Sequence, residues 1–128
     1  MTTTRSHREL KIYQLAFETA TRIHEITKSF PSEEEYSLTN QIRRSSYSVC
    51  THIAEAWRRS QDSNTFVSEL TDSDSEVIAS TVWLEFALHF KYITPELHKE
   101  LAHRYDHICH QLTLMISDPE KWAHHHHE

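Results

Sequence analysis

Residues 38–59, LTNQIRRSSYSVCTHIAEAWRR, decide the fold. Leu38, Ile42, Ser45, Val49, Ile53 and Ala56 recur at spacings of four, three, four, four and three, which sets them on one stripe of an α-helix. Ser37 stands just before the stripe as an N-cap residue, and the spacing predicts a helix over 37–59. The same periodicity continues in both directions. Upstream, Leu10, Ile12, Tyr13, Ala16, Phe17, Ala20, Ile23, Ile26 and Phe30 form a broad apolar surface, giving a helix over 7–29. Phe30-Pro31 ends it, because the residue before proline is pushed out of helical geometry.

Downstream, the polar link Ser60-Gln61-Asp62-Ser63-Asn64 leads into a helix over 63–92. Its first half carries the stripe Phe66, Leu70, Ser73 and Val77; its second half adds Ile78, Val82, Trp83, Phe86 and Phe90 around the remaining circumference. A helix apolar nearly all round must be covered on more than one side. That excess makes Val82, Trp83, Phe86 and Phe90 the expected interface between subunits of an oligomer. Thr94-Pro95-Glu96 supplies a cap, a first-turn proline and a first-turn acid for a last helix over 95–117, with Leu97, Leu101, Tyr105, Ile108, Leu112, Met115 and Ile116 on its stripe. Residues 118–128 remain as a tail. Short connections between long helices make neighbours antiparallel, so the expected fold is all-α, an antiparallel up-and-down four-helix bundle in one domain spanning 1–128.

The 128 residues include no glycine. This excludes functions built on glycine-permitted backbone: a phosphate-binding loop, a dinucleotide fingerprint, a nucleophile elbow or an EF-hand loop. Tight hairpins also lose their favoured residue, which argues against an all-β chain. No stretch approaches the length of a membrane-spanning segment, and Met1-Thr2-Thr3-Thr4-Arg5 lacks the apolar core of a signal peptide, so a cytoplasmic location is expected. Cys50 and Cys109 are too few for a disulfide scaffold and read as buried reduced thiols. His124 to His127 stand apart at the terminus and are kept out of metal arguments.

Chemistry-bearing patterns are sparse. A carboxylate di-metal centre needs two Glu-x-x-His pairs, and only Glu100-Leu101-Ala102-His103 is present, with His103 opposite the apolar stripe. His103, His107 and His110 share one outward face of the last helix, which reads as a solvated polar surface, a pH-sensitive contact between subunits or a pair of metal donors. His52 and Glu55 are spaced as a hydrogen-bonded pair. No serine sits in an activating context, so neither an enzyme, a cofactor nor a metal is expected.

Charge is more informative. Residues 1–59 carry nine basic and seven acidic groups, and residues 60–128 carry four basic and twelve acidic, so the acid excess lies in the second half. Arg43, Arg44, Arg58 and Arg59 lie on the second helix; Asp62, Glu69, Asp72, Asp74 and Glu76 cluster at the start of the third. Either these groups pair with each other, or the arginines, extended by Arg5, Arg8 and Lys11, contact phosphates without reading bases. The acids offer the converse, a docking face for a basic protein partner.

Arg8-Glu9-Leu10-Lys11-Ile12-Tyr13-Gln14, the run from Tyr36 to Ser45, the run from Ser48 to Ala56, Trp83-Leu84-Glu85-Phe86-Ala87 and Tyr92-Ile93 together resemble the bacterial four-helix-bundle family associated with intervening sequences of 23S ribosomal RNA genes. The family commonly has proline, asparagine and glycine where this chain has Cys50, His52 and Ala56. The resemblance implies a ring-like homo-oligomer, a pentamer, without enzymatic activity. A related group assists reverse transcriptases of retroelements by contacting nucleic acid and polymerase, which makes RNA or a protein the implied partner.

Overall fold

The computed structural model describes residues 6–122. Four long helices carry the chain: α1 Lys11–Thr27, α2 Leu38–Arg58, α3 Ser63–His89 and α4 Pro95–Ser117. Every residue of the α2 stripe is buried, from Leu38 to Ala56.

The first helix starts later than its periodicity suggests. Ser6 caps a short 3₁₀ turn, His7–Glu9, through a capping box: its hydroxyl accepts from the Arg8 N–H while Glu9 accepts from the Ser6 N–H. Leu10 then takes an extended conformation that drops its side chain into the core, and α1 begins at Lys11. Beyond Thr27 the chain tightens through Lys28, Ser29 and Phe30, each bonding a carbonyl three residues back, before Pro31.

Ser37 is not the side-chain cap of α2. Its hydroxyl turns away from the helix and donates to Glu34, whose carboxylate also accepts from the Leu38 N–H and, at 2.8 Å, from the Tyr92 hydroxyl. One carboxylate at the positive end of α2 thereby ties the segment before α2 to the segment after α3.

α3 stops at His89, short of residue 92. The Tyr92 N–H bonds Ala87 O and the Lys91 N–H bonds Leu88 O, a Schellman closure with Lys91 at φ 64°. Glycine normally takes that left-handed position; in this chain a lysine bears the strain.

α1 packs on α2, α2 on α3, α3 on α4 and α4 back on α1, around one core to which all four contribute. The α2–α3 contact is the most extensive, and small buried residues explain it. Ser45 Oγ meets Ser80 Oγ at 2.8 Å, Ser73 Oγ donates to Val49 O at 2.9 Å, and His52 meets Glu69 at 2.7 Å. Partners descend along α3 as they ascend along α2, so these two helices run in opposite directions. Tyr105 of α4 is the largest fully buried side chain, and burial pushes its phenol well above the ordinary value. Residues 119–122 add one helical turn that lays Trp122 against the core. Among the described residues no helix is long and apolar enough to cross a membrane.

Two predictions follow from the ends of the helices. Lys91→Gly relieves the left-handed strain and raises stability by about 1 kcal/mol, a rise in Tm of about 3 to 5 °C in a thermal melt; a lower Tm contradicts the assignment. The Glu34 carboxyl is held below its ordinary value first by the Ser37 hydroxyl and then by the Tyr92 hydroxyl. A depressed carboxyl stabilises fully above its unfolded-state pKa and loses that contribution as pH falls through the lowered folded value. Glu34→Gln is therefore expected to lower Tm at neutral pH, and the difference from the parent to vanish in strong acid; a difference constant with pH contradicts it.

Candidate nucleic-acid and partner interface

The arginines of α2 divide into structural and exposed groups. Arg43 is half-buried; its Nε donates to Thr27 Oγ1 at 2.8 Å and its Nη2 to His24 O at 3.4 Å, bracing α2 against α1. Arg44, one residue on, is exposed and has no ion pair among the described residues. Among the described residues Arg58 and Arg59 form no ion pair with the acids of α3, although the Arg59 charge helps to lower the Asp62 carboxyl. Both reach back to Glu55 on their own helix, at 3.6 and 3.4 Å. Glu55 is one turn upstream and already within reach, whereas Asp62, the nearest acid of the following segment, is occupied in capping α3.

Their side chains remain 74% and 56% exposed, and an ion pair so open to water is screened and contributes little, so the guanidinium groups stay available to an incoming phosphate. Arg44 and Arg58 stand about 21 Å apart along the helix axis at 1.5 Å per residue. Arg8 and Lys11 are exposed as well. Thr27 meets Arg43 and His24 meets Tyr47, so the 3₁₀ turn holding Arg8, which packs on α2, lies toward the Arg58–Arg59 end.

Much of the acidic cluster is spent within the fold. Asp62 accepts from the Asn64 and Thr65 N–H groups and the Thr65 hydroxyl, and the Thr65 bonds hold its carboxyl below the ordinary value. Glu69 takes the place expected of Glu55 as the partner of His52: Glu55 turns to the arginines while α3 presents Glu69 across the seam. Asp74 accepts from Cys109 Sγ at 3.2 Å. Asp72 and Glu76 have no ion pair or hydrogen bond among the described residues. His103, His107 and His110 are exposed on α4, and no set of three metal donors converges there among the described residues. The convergent set is His52, Glu69 and Asp72, with donor atoms all within 4.8 Å of one another. His124 to His127 lie outside the described residues.

The second half of α3 presents an apolar ladder. Val82 is 39% exposed, Phe86 45% and Phe90 48%, with Ile78 beside them, while Trp83 is half-buried against the core. Ring centroids step from Trp83 to Phe86 at 6.1 Å and from Phe86 to Phe90 at 6.0 Å. A further feature escaped the sequence reading: a groove of about 470 Å³ between α1 and α2, walled by Tyr13, Phe17, Ala20, His24, Tyr47 and Cys50. Phe17, expected within the apolar surface of the first helix, stands half-exposed at its edge. The available signal was a large ring flanked on the helix by the small residues Ala16 and Ala20, which leave a channel beside it.

Neither cysteine is poised as a nucleophile. Cys50 is buried, which pushes its thiol up to about 11. Cys109, expected to be buried, is only half-buried; burial and then the neighbouring Asp74 raise its thiol above the ordinary value.

A profile of the family described as 23S rRNA-intervening sequence protein matches residues 8–114. A solved structure from Bacteroides thetaiotaomicron, described as a protein with unknown function from the S23 ribosomal protein family, superposes with a TM-score of 0.76 at 26% identity. That likeness covers 83% of this chain and 95% of the other. No curated protein gives a significant sequence match.

The two groups of arginines should separate on substitution. Arg43→Gln is expected to cost about 1 to 2 kcal/mol in urea unfolding, through its half-buried bonds to α1. Arg58→Gln and Arg59→Gln are expected to stay within about 0.5 kcal/mol. Equal costs at the three positions would contradict the division.

Proposed function

The chain belongs to the 23S rRNA-intervening sequence protein family, and from that premise we propose that it is a non-enzymatic scaffold. In this reading it is an antiparallel four-helix bundle that assembles into a ring-like homo-oligomer and contacts RNA phosphates through Arg44, Arg58, Arg59 and Arg8.

The observation that carries the reading is the coexistence of the exposed arginines with the apolar ladder of α3. Monomers commonly expose single apolar residues, but four aligned along one helix favour a covering partner. The groove edged by Phe17 and Tyr47 supplies a second, different apolar face. Two unlike faces suit a head-to-tail contact, and such contacts close into a ring where the rotation between copies is a whole fraction of a turn. The resemblance drawn from the sequence implies five subunits.

The RNA contact rests on guanidinium groups held on a rigid helix with only weak intramolecular partners. A net charge of −6 and a pI near 6.0 limit it to a local phosphate contact rather than a basic domain-wide footprint. Docking of a basic protein by the start of α3 is less favoured, because Asp62, Glu69 and Asp74 already have partners in the fold. A binding role also accords with the raised thiols and with the serine hydroxyls of Ser45, Ser73 and Ser80 being committed to the α2–α3 seam. Two free cysteines are in keeping with a reducing cytoplasm.

The test is fluorescence anisotropy with a structured RNA across a salt series. The parent is expected to bind with an affinity that falls steeply as salt rises. The triple substitution of Arg44, Arg58 and Arg59 by Gln is expected to reduce the slope of log affinity against log salt by about 2 to 3. An unchanged slope would overturn the RNA assignment.

A further inference from the structure

We propose that His52, Glu69 and Asp72 form a binding site for one divalent transition-metal ion of the zinc class. The site joins a ring nitrogen from α2 to two carboxylates from α3, and the donor atoms already lie within 4.8 Å of one another. Tetrahedral ligands about 2.0 to 2.1 Å from zinc stand about 3.3 Å apart, so binding parts His52 and Glu69, now 2.7 Å apart, and draws the Asp72 carboxylate inward.

Each ligand position is fixed by its surroundings in a way that permits this. His52 lies one turn beyond Val49, whose carbonyl accepts from Ser73, and Glu69 lies one turn before Ser73. The Ser73–Val49 bond therefore sets the spacing of the two helices beside the site. His52 Nδ1 and Glu69 Oε1 already face each other at 2.7 Å, with side chains 30% and 23% exposed. Asp72, one turn after Glu69 on the same face, is exposed and has no other partner among the described residues, so no bond has to break for its carboxylate to turn inward.

Charge supplies a reason for a cation. Glu69 and Asp72 bring two carboxylates beside a single imidazole, and no lysine or arginine pairs with either among the described residues, the nearby arginines being engaged with Glu55. Two carboxylates and a neutral imidazole balance a dipositive ion. The nitrogen donor favours zinc or cobalt over calcium, magnesium or manganese, which prefer oxygen ligands. Three protein donors with a solvent-exposed side leave a coordination position for water.

The test uses the full-length chain with His124 to His127 replaced by alanine, so that the terminal histidines do not compete. Zinc chloride is titrated by calorimetry and cobalt chloride by visible absorption, on this parent and on its Asp72→Asn and His52→Gln forms. The expected result is one ion per chain, bound at least tenfold more weakly by each variant, with a cobalt ligand-field band and a zinc-induced rise in Tm that both variants lose. Asp72→Asn alters only an exposed side chain, so its far-ultraviolet circular dichroism should match the parent. Absence of stoichiometric uptake by the parent would overturn the proposal. So would uptake that survives both substitutions unchanged, which would place the ion elsewhere, for instance on His103 and His107.

Discussion

The hydrogen bond from the Ser73 hydroxyl to the Val49 carbonyl sets the terms for the rest of the molecule. A side chain of one helix can reach the backbone of its neighbour only where both surfaces are small, and Ser45 and Val49 on α2 meet Ser80 and Ser73 on α3. This close pair is the rigid element against which α1 and α4 pack. It also turns the large side chains of α3 beyond Val77 away from α2. Leu84 and Ala87 enter the core, while Val82, Phe86 and Phe90 are left on the outside. The apolar ladder is thus a consequence of how tightly the seam is drawn.

Much of this was legible from periodicity, because burial on a helix repeats with the helix. The six stripe residues of α2 are all buried, and Thr94-Pro95-Glu96 fixed the start of α4 at Pro95, where the Thr94 hydroxyl accepts from the Leu97 N–H. What periodicity does not carry is contact between distant segments. Ser37 had the chemistry of a cap, yet Glu34 takes that place because Tyr92, from the far end of α3, helps to hold its carboxylate. Lys91 carries no sequence mark of a left-handed residue; the chain turns there, just past the end of α3, and no glycine is present to do it.

The site residues illustrate the same limit. Arg43 and Arg44 are indistinguishable in the sequence, but about 100° of helical rotation puts one against Thr27 and the other in water. His52 matched Glu55 by spacing, whereas the neighbouring helix brought Glu69. The exposed apolar residues of α3 were legible because their number exceeded what one core can hold. Of the groove at Phe17 and Tyr47 the sequence carries only the half on α1, a large ring beside small residues, since the other wall comes from α2.

The central claim is that the ladder on α3 is covered by another copy of the chain. Multi-angle light scattering of the parent and of Phe86→Glu tests it most directly. The account predicts a parent mass several times the 15.2 kDa of one chain. It predicts that Phe86→Glu, at a residue 45% exposed and so free to change without disturbing the core, gives a single chain with unchanged helical circular dichroism. A parent that remains a single chain at high micromolar concentration would contradict it.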